Sequence, residues 1–384
     1  MTRCFVPNFD FEHQLAGPSA AAPRHIERLN AELATAWVAV AEDGDAIWLP
    51  EKIPGEFFEQ CAGAGLARID SVRQPSSLVR CEPWGWSATV STLCDRQGWH
   101  NSAPPLAAVR RANARQFSAG LEAEANLSLP GAGAVVELAE ATHRVEAICR
   151  NDSAAAWVIK ANFGMSGRER TLGRGPLTPA ASGWIRKRLE RDGVVFVEPW
   201  VTRIHEVGLQ FELTLGQGPS LLGVVPLLST PAGQYRGSWF APPPAVIMTS
   251  QPPASVIQAC TEAAARAAEL GYHGPLGIDA MYYHGADGQP AWRPLQDINA
   301  RWTMGRLSLG LRRLLQPGQS GLWWHGTVEE RSQLADSVLI QDICSAHGLC
   351  VRRIVATSPE EVGGRPCRHA SAAVLFDVTG PAAG

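Results

Sequence analysis

Residues 293–306 read RPLQDINARWTMGR, and inside this apolar, strand-like run Asp297 and Asn299 stand two positions apart. Residues two apart in a strand project to the same face, so a carboxylate and an amide oxygen converge on one point. Two hard oxygen donors side by side suit Mg2+ carried on the phosphates of a nucleotide. The spacing therefore predicts a strand with a metal-and-phosphate site on one face.

A chain of 384 residues exceeds one ordinary core, and its length implies two or three domains. A formal net charge of -3, with basic residues scattered rather than blocked, argues against a nucleic-acid or anionic-membrane partner. No apolar run approaches the roughly 18 to 20 residues of a membrane helix. The cysteines form no CxxC pair and are odd in number, and the N-terminus shows no secretory leader, so a reducing cytoplasm is the expected compartment. Cations are nearly all Arg: Lys52, Lys160 and Lys187 are the only lysines. Such a chain keeps Lys where a compact ammonium must reach a phosphate, which singles out Lys160.

Taken in order, residues 4–8 and 46–49 read as strands and 56–64 as a helix, the pattern of a small α/β layer with a parallel sheet. Pro83-Trp84-Gly85-Trp86 is either a loop that closes on a ligand or a packing corner sealing a domain boundary; the area a Trp buries favours the corner. Residues 101–105 (NSAPP) form a linker, 106–124 a helix, and 156–163 (AWVIKANF) a strand whose charged member is Lys160. A glycine-rich turn follows, Gly164-Met165-Ser166-Gly167-Arg168, suited to close backbone approach to phosphate. It is not a Walker loop, because here the lysine precedes the loop on a strand. Residues 194–201 (VVFVEPWV) form a strand that must leave its sheet at Glu198-Pro199, since proline cannot sit in a central ladder. Strands are expected at 205–215, 220–229, 277–283 and 290–300, helices at 256–270, 303–315 and 328–346, and further strands at 350–356 and 372–377. Residues 235–244 (YRGSWFAPPP) read as a loop that contributes to substrate choice.

Lys160 ahead of a glycine-rich hairpin, Glu198-Pro199-Trp200-Val201 at a strand exit, Asp279 on one strand and Asp297-Ile298-Asn299-Ala300-Arg301 on the next resemble, in that order over about residues 104–315, the ATP-grasp family. The resemblance implies an α/β and α+β chain: two α+β subdomains clasping ATP, preceded by a small Rossmann-like α/β domain. The corresponding segments are 1–104, a lid subdomain at 105–201, a metal-site subdomain at 202–315 and a C-terminal α/β extension at 316–384. It further implies an ATP-dependent, ADP-forming ligase that uses Mg2+ or Mn2+. Such an enzyme activates a small carboxylate as an acylphosphate and joins it to an amine, amino acids and peptides included. A kinase on the same nucleotide site and a nucleotide-binding regulator without turnover are the alternatives, and a homo-oligomer is left open.

Carried over position by position, Lys160 takes the α- and β-phosphates, and Gly164, Met165, Ser166, Gly167 and Arg168 form the lid loop. Glu198, Pro199, Trp200 and Val201 form the hinge whose backbone binds adenine, with Glu206 at the ribose. Asp279, Asp297 and Asn299 are the metal ligands. Arg301, two beyond the Asn on the same face, stabilises developing negative charge and acts with Lys160 in catalysis. Two positions depart from the family pattern. Its first basic nucleotide contact, usually Lys, is here Arg115 or Arg111, and its central metal carboxylate, more often Glu, is Asp297.

Overall fold

A computed structural model describes residues 2–17, 24–72, 79–164, 169–285 and 287–379. Strands β1 (Arg3–Val6), β2 (Ala46–Trp48), β3 (Asp70–Val72) and β4 (Arg80–Pro83) form a parallel sheet in the order β3-β2-β1-β4. That is the order of one half of a doubly wound α/β sheet. β1 is central and covered on both faces, which is why Cys4, Phe5 and Val6 run apolar without alternation.

A second sheet, antiparallel, holds β5 (Gly133–Val135), β6 (Ala156–Ala161), β7 (Arg170–Arg174) and β8 (Val195–Pro199) in the order β5-β8-β6-β7. Its covering helix Pro179–Asp192 starts where Thr178 accepts from the Ala181 N–H and stops at left-handed Gly193. Only Trp200 and Val201 separate β8 from β9, so the strand exit expected at Glu198-Pro199 joins two sheets.

The third sheet has eight strands: β9 (Thr202–Leu213), β10 (Ser220–Ser229), β11 (Tyr235–Ala241), β12 (Gly274–His284), β13 (Pro290–Asn299), β14 (Ser320–Thr327), β15 (Leu349–Ala356) and, after the small hairpin β16 (Glu361–Val362) and β17 (Arg365–Pro366), β18 (His369–Val378). Their order is β13-β12-β9-β10-β11-β14-β18-β15, antiparallel throughout. The strands of residues 320–378 thus extend the sheet that carries Asp279 and Asp297.

Three segments differ from the sequence expectation. Residues 106–124 form two helices, Leu106–Ala112 and Arg115–Glu124. Asn113 between them exchanges hydrogen bonds with the Ala300 backbone (2.9 and 3.1 Å), and the Arg115 N–H turns to the Asn162 carbonyl (2.9 Å). Tertiary partners therefore outbid the local helical bonds. Residues 235–244 are not a loop: Tyr235–Ala241 is strand β11, paired on both sides, followed by the helix Pro244–Ser250. The expected helix over 328–346 is broken into Val328–Ser332, a 3-10 turn and Val338–His347, because Ser337 caps a fresh start through the Ile340 N–H. Among the described residues no helix is long and apolar enough to cross a membrane.

The PWGW stretch is the corner. Trp84 is buried against Phe9 (centroids 4.5 Å), its carbonyl accepts from the Trp302 N–H (3.0 Å), and Trp302 meets fully buried Trp37 edge-on at 5.3 Å. A Cβ on Gly85 would lie 2.6 Å from Phe11 ring carbons. Gly85→Ala is therefore expected to destabilise the fold by about 1–3 kcal/mol through overpacking. Urea denaturation would show this as a lowered midpoint; an unchanged midpoint would contradict the contact.

Candidate active site

The register of β12 and β13 sets Asp279 directly opposite Asp297, with Gly277 opposite Asn299. On the other side of Asp279 stands Gly208 of β9, whose missing side chain lets the Gln210 amide pack close beside it: a Cβ there would lie 2.7 Å from Gln210 Nε2. Asn299 Nδ2 donates to Asp279 Oδ2 at 3.2 Å. Burial pushes the Asp279 carboxyl up to about 7, and the charges of Asp297 and Glu206 add to the rise. Like charges this close in a poorly solvated place are costly, and a dication would relieve the cost.

The residues fit a metal on that chemistry. Among the described residues no three His, Cys, Asp or Glu side chains gather into a metal cluster. Mg2+ is commonly held by one or two carboxylates together with substrate phosphates and water, which is what Asp279 and Asp297 offer. Asn299 was expected as a third oxygen ligand; in the structure its Oδ1 accepts from Arg301 at 2.8 Å, so it braces the pair.

Lys160, on β6, points from the four-stranded sheet into a buried ionic quartet. Its Nζ donates to Glu198 Oε2 at 2.7 Å. Arg293 of β13 donates to both oxygens of Glu198 (2.8 and 3.2 Å) and both of Glu122 (2.6 and 2.7 Å). The four charges sum to zero. Burial alone would raise the Glu198 carboxyl, but Arg293 and Lys160 outweigh it and hold it well below the usual carboxylate range. Burial also pulls the Lys160 ammonium below its ordinary value, against the pull of Glu198. The Glu198 side chain thus belongs to the anchor of Lys160, while Trp200 and Val201 form the two-residue link between sheets.

The remaining expected residues fall as follows. Arg115 opens the helix Arg115–Glu124 and reaches across to Asp297 Oδ2 at 3.4 Å, whereas Arg111 is exposed on the preceding helix. Glu206 is buried and bonded on both oxygens, to Gln296 (2.9 Å) on one side and to Ser229 (2.8 Å) and Arg203 (2.9 Å) on the other. Gly164 lies just past the buried end of β6; Met165, Ser166, Gly167 and Arg168 lie outside the described residues.

Arg301 is the most heavily engaged. It donates to the Trp302 carbonyl (2.9 Å) and to Asn299, stacks its guanidinium 5.2 Å from the Trp84 centroid, and pairs with Glu12 of the N-terminal domain at 2.6 Å. Glu12, Glu122 and Arg293 were not anticipated as site residues. Arg293 carried a signal, a charge flanked by the apolar Trp292, Pro294 and Leu295, but its partner Glu122 is 171 residues away and Glu12 is 289 from Arg301.

No protein-family model and no curated protein matches the chain. Solved structures do. An N5-carboxyaminoimidazole ribonucleotide synthetase in its ADP complex superposes with a TM-score of 0.51 at 12% identity, over 97% of this chain and 92% of that one. A biotin carboxylase from Campylobacter jejuni, in complex with β-γ-ATP, gives 0.51 at 9% identity over 97% and 87%. The biotin carboxylase domain of the Hydrogenobacter thermophilus 2-oxoglutarate carboxylase, with MgADP, ADP and bicarbonate, gives 0.50 at 10% identity over 97% and 86%. Identities this low speak to architecture alone. With a parallel α/β sheet, a four-stranded antiparallel sheet and a large antiparallel sheet in that order, the chain has the ATP-grasp fold.

Proposed function

We propose that this chain is an ATP- and Mg2+-dependent ligase that activates a small-molecule carboxylate as an acylphosphate and joins it to an amine, releasing ADP. The observation that carries the reading is the seam between the two antiparallel sheets. Lys160 and Arg115 come from the lid side and the Asp279/Asp297 pair from the large sheet, with Arg115 spanning the gap. Cations facing a carboxylate pair are what a nucleotide triphosphate with its metal requires. The ADP, MgADP and bicarbonate in solved structures of the same fold support the nucleotide and the acid. Nine free cysteines, none in a disulfide, support a reducing cytoplasm.

In this reading residues 1–104 supply the substrate face, 105–201 the lid and 202–315 the metal site, with 316–384 extending its sheet. Asp279 and Asp297 hold the metal, which supplies charge neutralisation on the phosphates. Lys160, positioned by Glu198, offers its ammonium to the phosphates as a point charge. Arg301 is fixed on three sides, so its guanidinium meets developing charge without reorganising. Phosphoryl transfer depends on alignment and charge more than on an acid or base, so the site needs no catalytic histidine.

The test is ADP release against a panel of carboxylates with and without amines. Amine-dependent release supports the ligase, whereas amine-independent phosphoryl transfer would indicate the kinase alternative. No Mg-ATP affinity by calorimetry would remove both. Lys160→Ala and Asp297→Ala are each expected to abolish turnover with the circular dichroism spectrum retained; full activity in either removes that residue from the site. Arg293→Met strands two buried carboxylates and is expected to cost about 3–5 kcal/mol of stability by chemical denaturation. A loss below roughly 1 kcal/mol, the scale of an exposed pair, would show that the quartet is not what holds the seam.

A further inference from the structure

Seven carboxylates are buried among the described residues, and six of them have donors on both oxygens. Asp10 is met by Asn30 and Gln14, Glu32 by Arg28 and two backbone N–H groups, Asp45 by Arg3 and Glu42. Glu122, Glu198 and Glu206 are satisfied as described above. Glu12 is the exception. It is 5% exposed, and both the Nε and an Nη of Arg301 converge at 2.6 Å on one oxygen, Oε1. Oε2 is buried with no hydrogen-bond partner.

An Arg–carboxylate pair that serves only to hold two domains together is best made as a fork, one nitrogen to each oxygen. Here the fork is declined: the other Nη turns to the Trp302 carbonyl, and Oε2 keeps its lone pairs. A buried acceptor without a donor is costly, and one that a fold retains calls for an explanation, a functional partner being one. Its position suits this. Glu12 sits in the helix Phe11–Ala16, just beyond the C-terminal end of β1, where open α/β sheets bind ligands, and Arg301 links it to Asn299 and Asp279. Its neighbour His13 faces Glu169 at 3.8 Å, next to the end of the lid strand β7, so this helix borders both halves of the cleft.

We propose that Glu12 receives an ammonium group of the substrate through Oε2, so that one partner of the ligation is a cationic, amino-acid-like molecule. The inference rests on the ligase reading above. The ammonium belongs either to the molecule that is activated or, as a second amine apart from the neutral nitrogen that forms the bond, to the one that attacks; both present the same N–H donors to a carboxylate whose other oxygen steadies Arg301.

The full chain is assayed for ADP release with the twenty protein amino acids and with their deaminated analogues as carboxylates. Ammonium chloride, ethylenediamine or ethanolamine serves as nucleophile, and wild type is compared with Glu12→Gln. If the activated molecule carries the ammonium, wild type prefers amino acids over deaminated analogues. If the attacking one does, wild type prefers ethylenediamine, with its second charged amine, over ethanolamine. In either arm Glu12→Gln is expected to lower the charged-over-uncharged ratio of kcat/KM by about tenfold to a hundredfold, chiefly through KM. An equal fall for charged and uncharged partners would mean that Glu12 acts only through Arg301, and an unchanged ratio that it binds nothing; either overturns the proposal. Should Glu12→Gln fail to fold, the wild-type comparison decides alone, since equal kcat/KM for charged and uncharged partners in both arms overturns it too. Absence of ADP release by wild type with every pair would instead remove the ligase reading, and this proposal with it.

Discussion

The arrangement depends on Arg293. One guanidinium, almost wholly buried, satisfies four carboxylate oxygens from two elements, Glu122 on a helix and Glu198 at the end of the lid sheet, while itself belonging to the large sheet. Planarity and a fixed fork of donors allow this; a lysine at the same place could not meet two carboxylates bidentately. Desolvation makes every member expensive by itself and tolerable only as a set. The set lies beside Lys160, so what holds the seam also aims the ammonium.

A second seam, of different chemistry, binds the N-terminal domain to the same site. Trp37, Trp84 and Trp302 supply area, and the Arg301–Glu12 pair supplies direction. The helix Met304–Gly310 comes so close to residues 34–39 that a Cβ on Gly310 would meet the Ala39 carbonyl oxygen at 2.2 Å. Two apolar layers and one ion pair thus put the loop after β13 under the control of residues almost three hundred positions earlier.

Much of this was legible in the sequence, and the limits have physical causes. Several strands of the large sheet show in the sequence, β9 by its alternation and β10 to its end residues, while β11 and β14 do not, and the order of lysine, glycine-rich turn, strand exit and acidic strands pointed to the fold. What pattern could not show was partnership. That Asp279 faces Asp297 is a matter of register, which depends on the hairpin and its bulge. Asn113 breaks a helix that propensity would continue because Ala300 is waiting for it, and Ser337 restarts another by capping. Residues 235–244 look like a loop, rich in proline and glycine, yet most of them pair on both sides within a sheet.

The two-residue link between β8 and β9 bears on mechanics. Two residues span at most about 7 Å, too little for one sheet to slide past the other. Beside the link stands the neutral quartet, buried and so little screened by salt. The four-stranded sheet is therefore joined at close quarters rather than on a long tether, and Lys160, bonded to Glu198 just ahead of the link, lies beside that junction. Any turning of one sheet on the other would displace the outer strand β7 more than the junction of β8 with β9, beside which Lys160 is held.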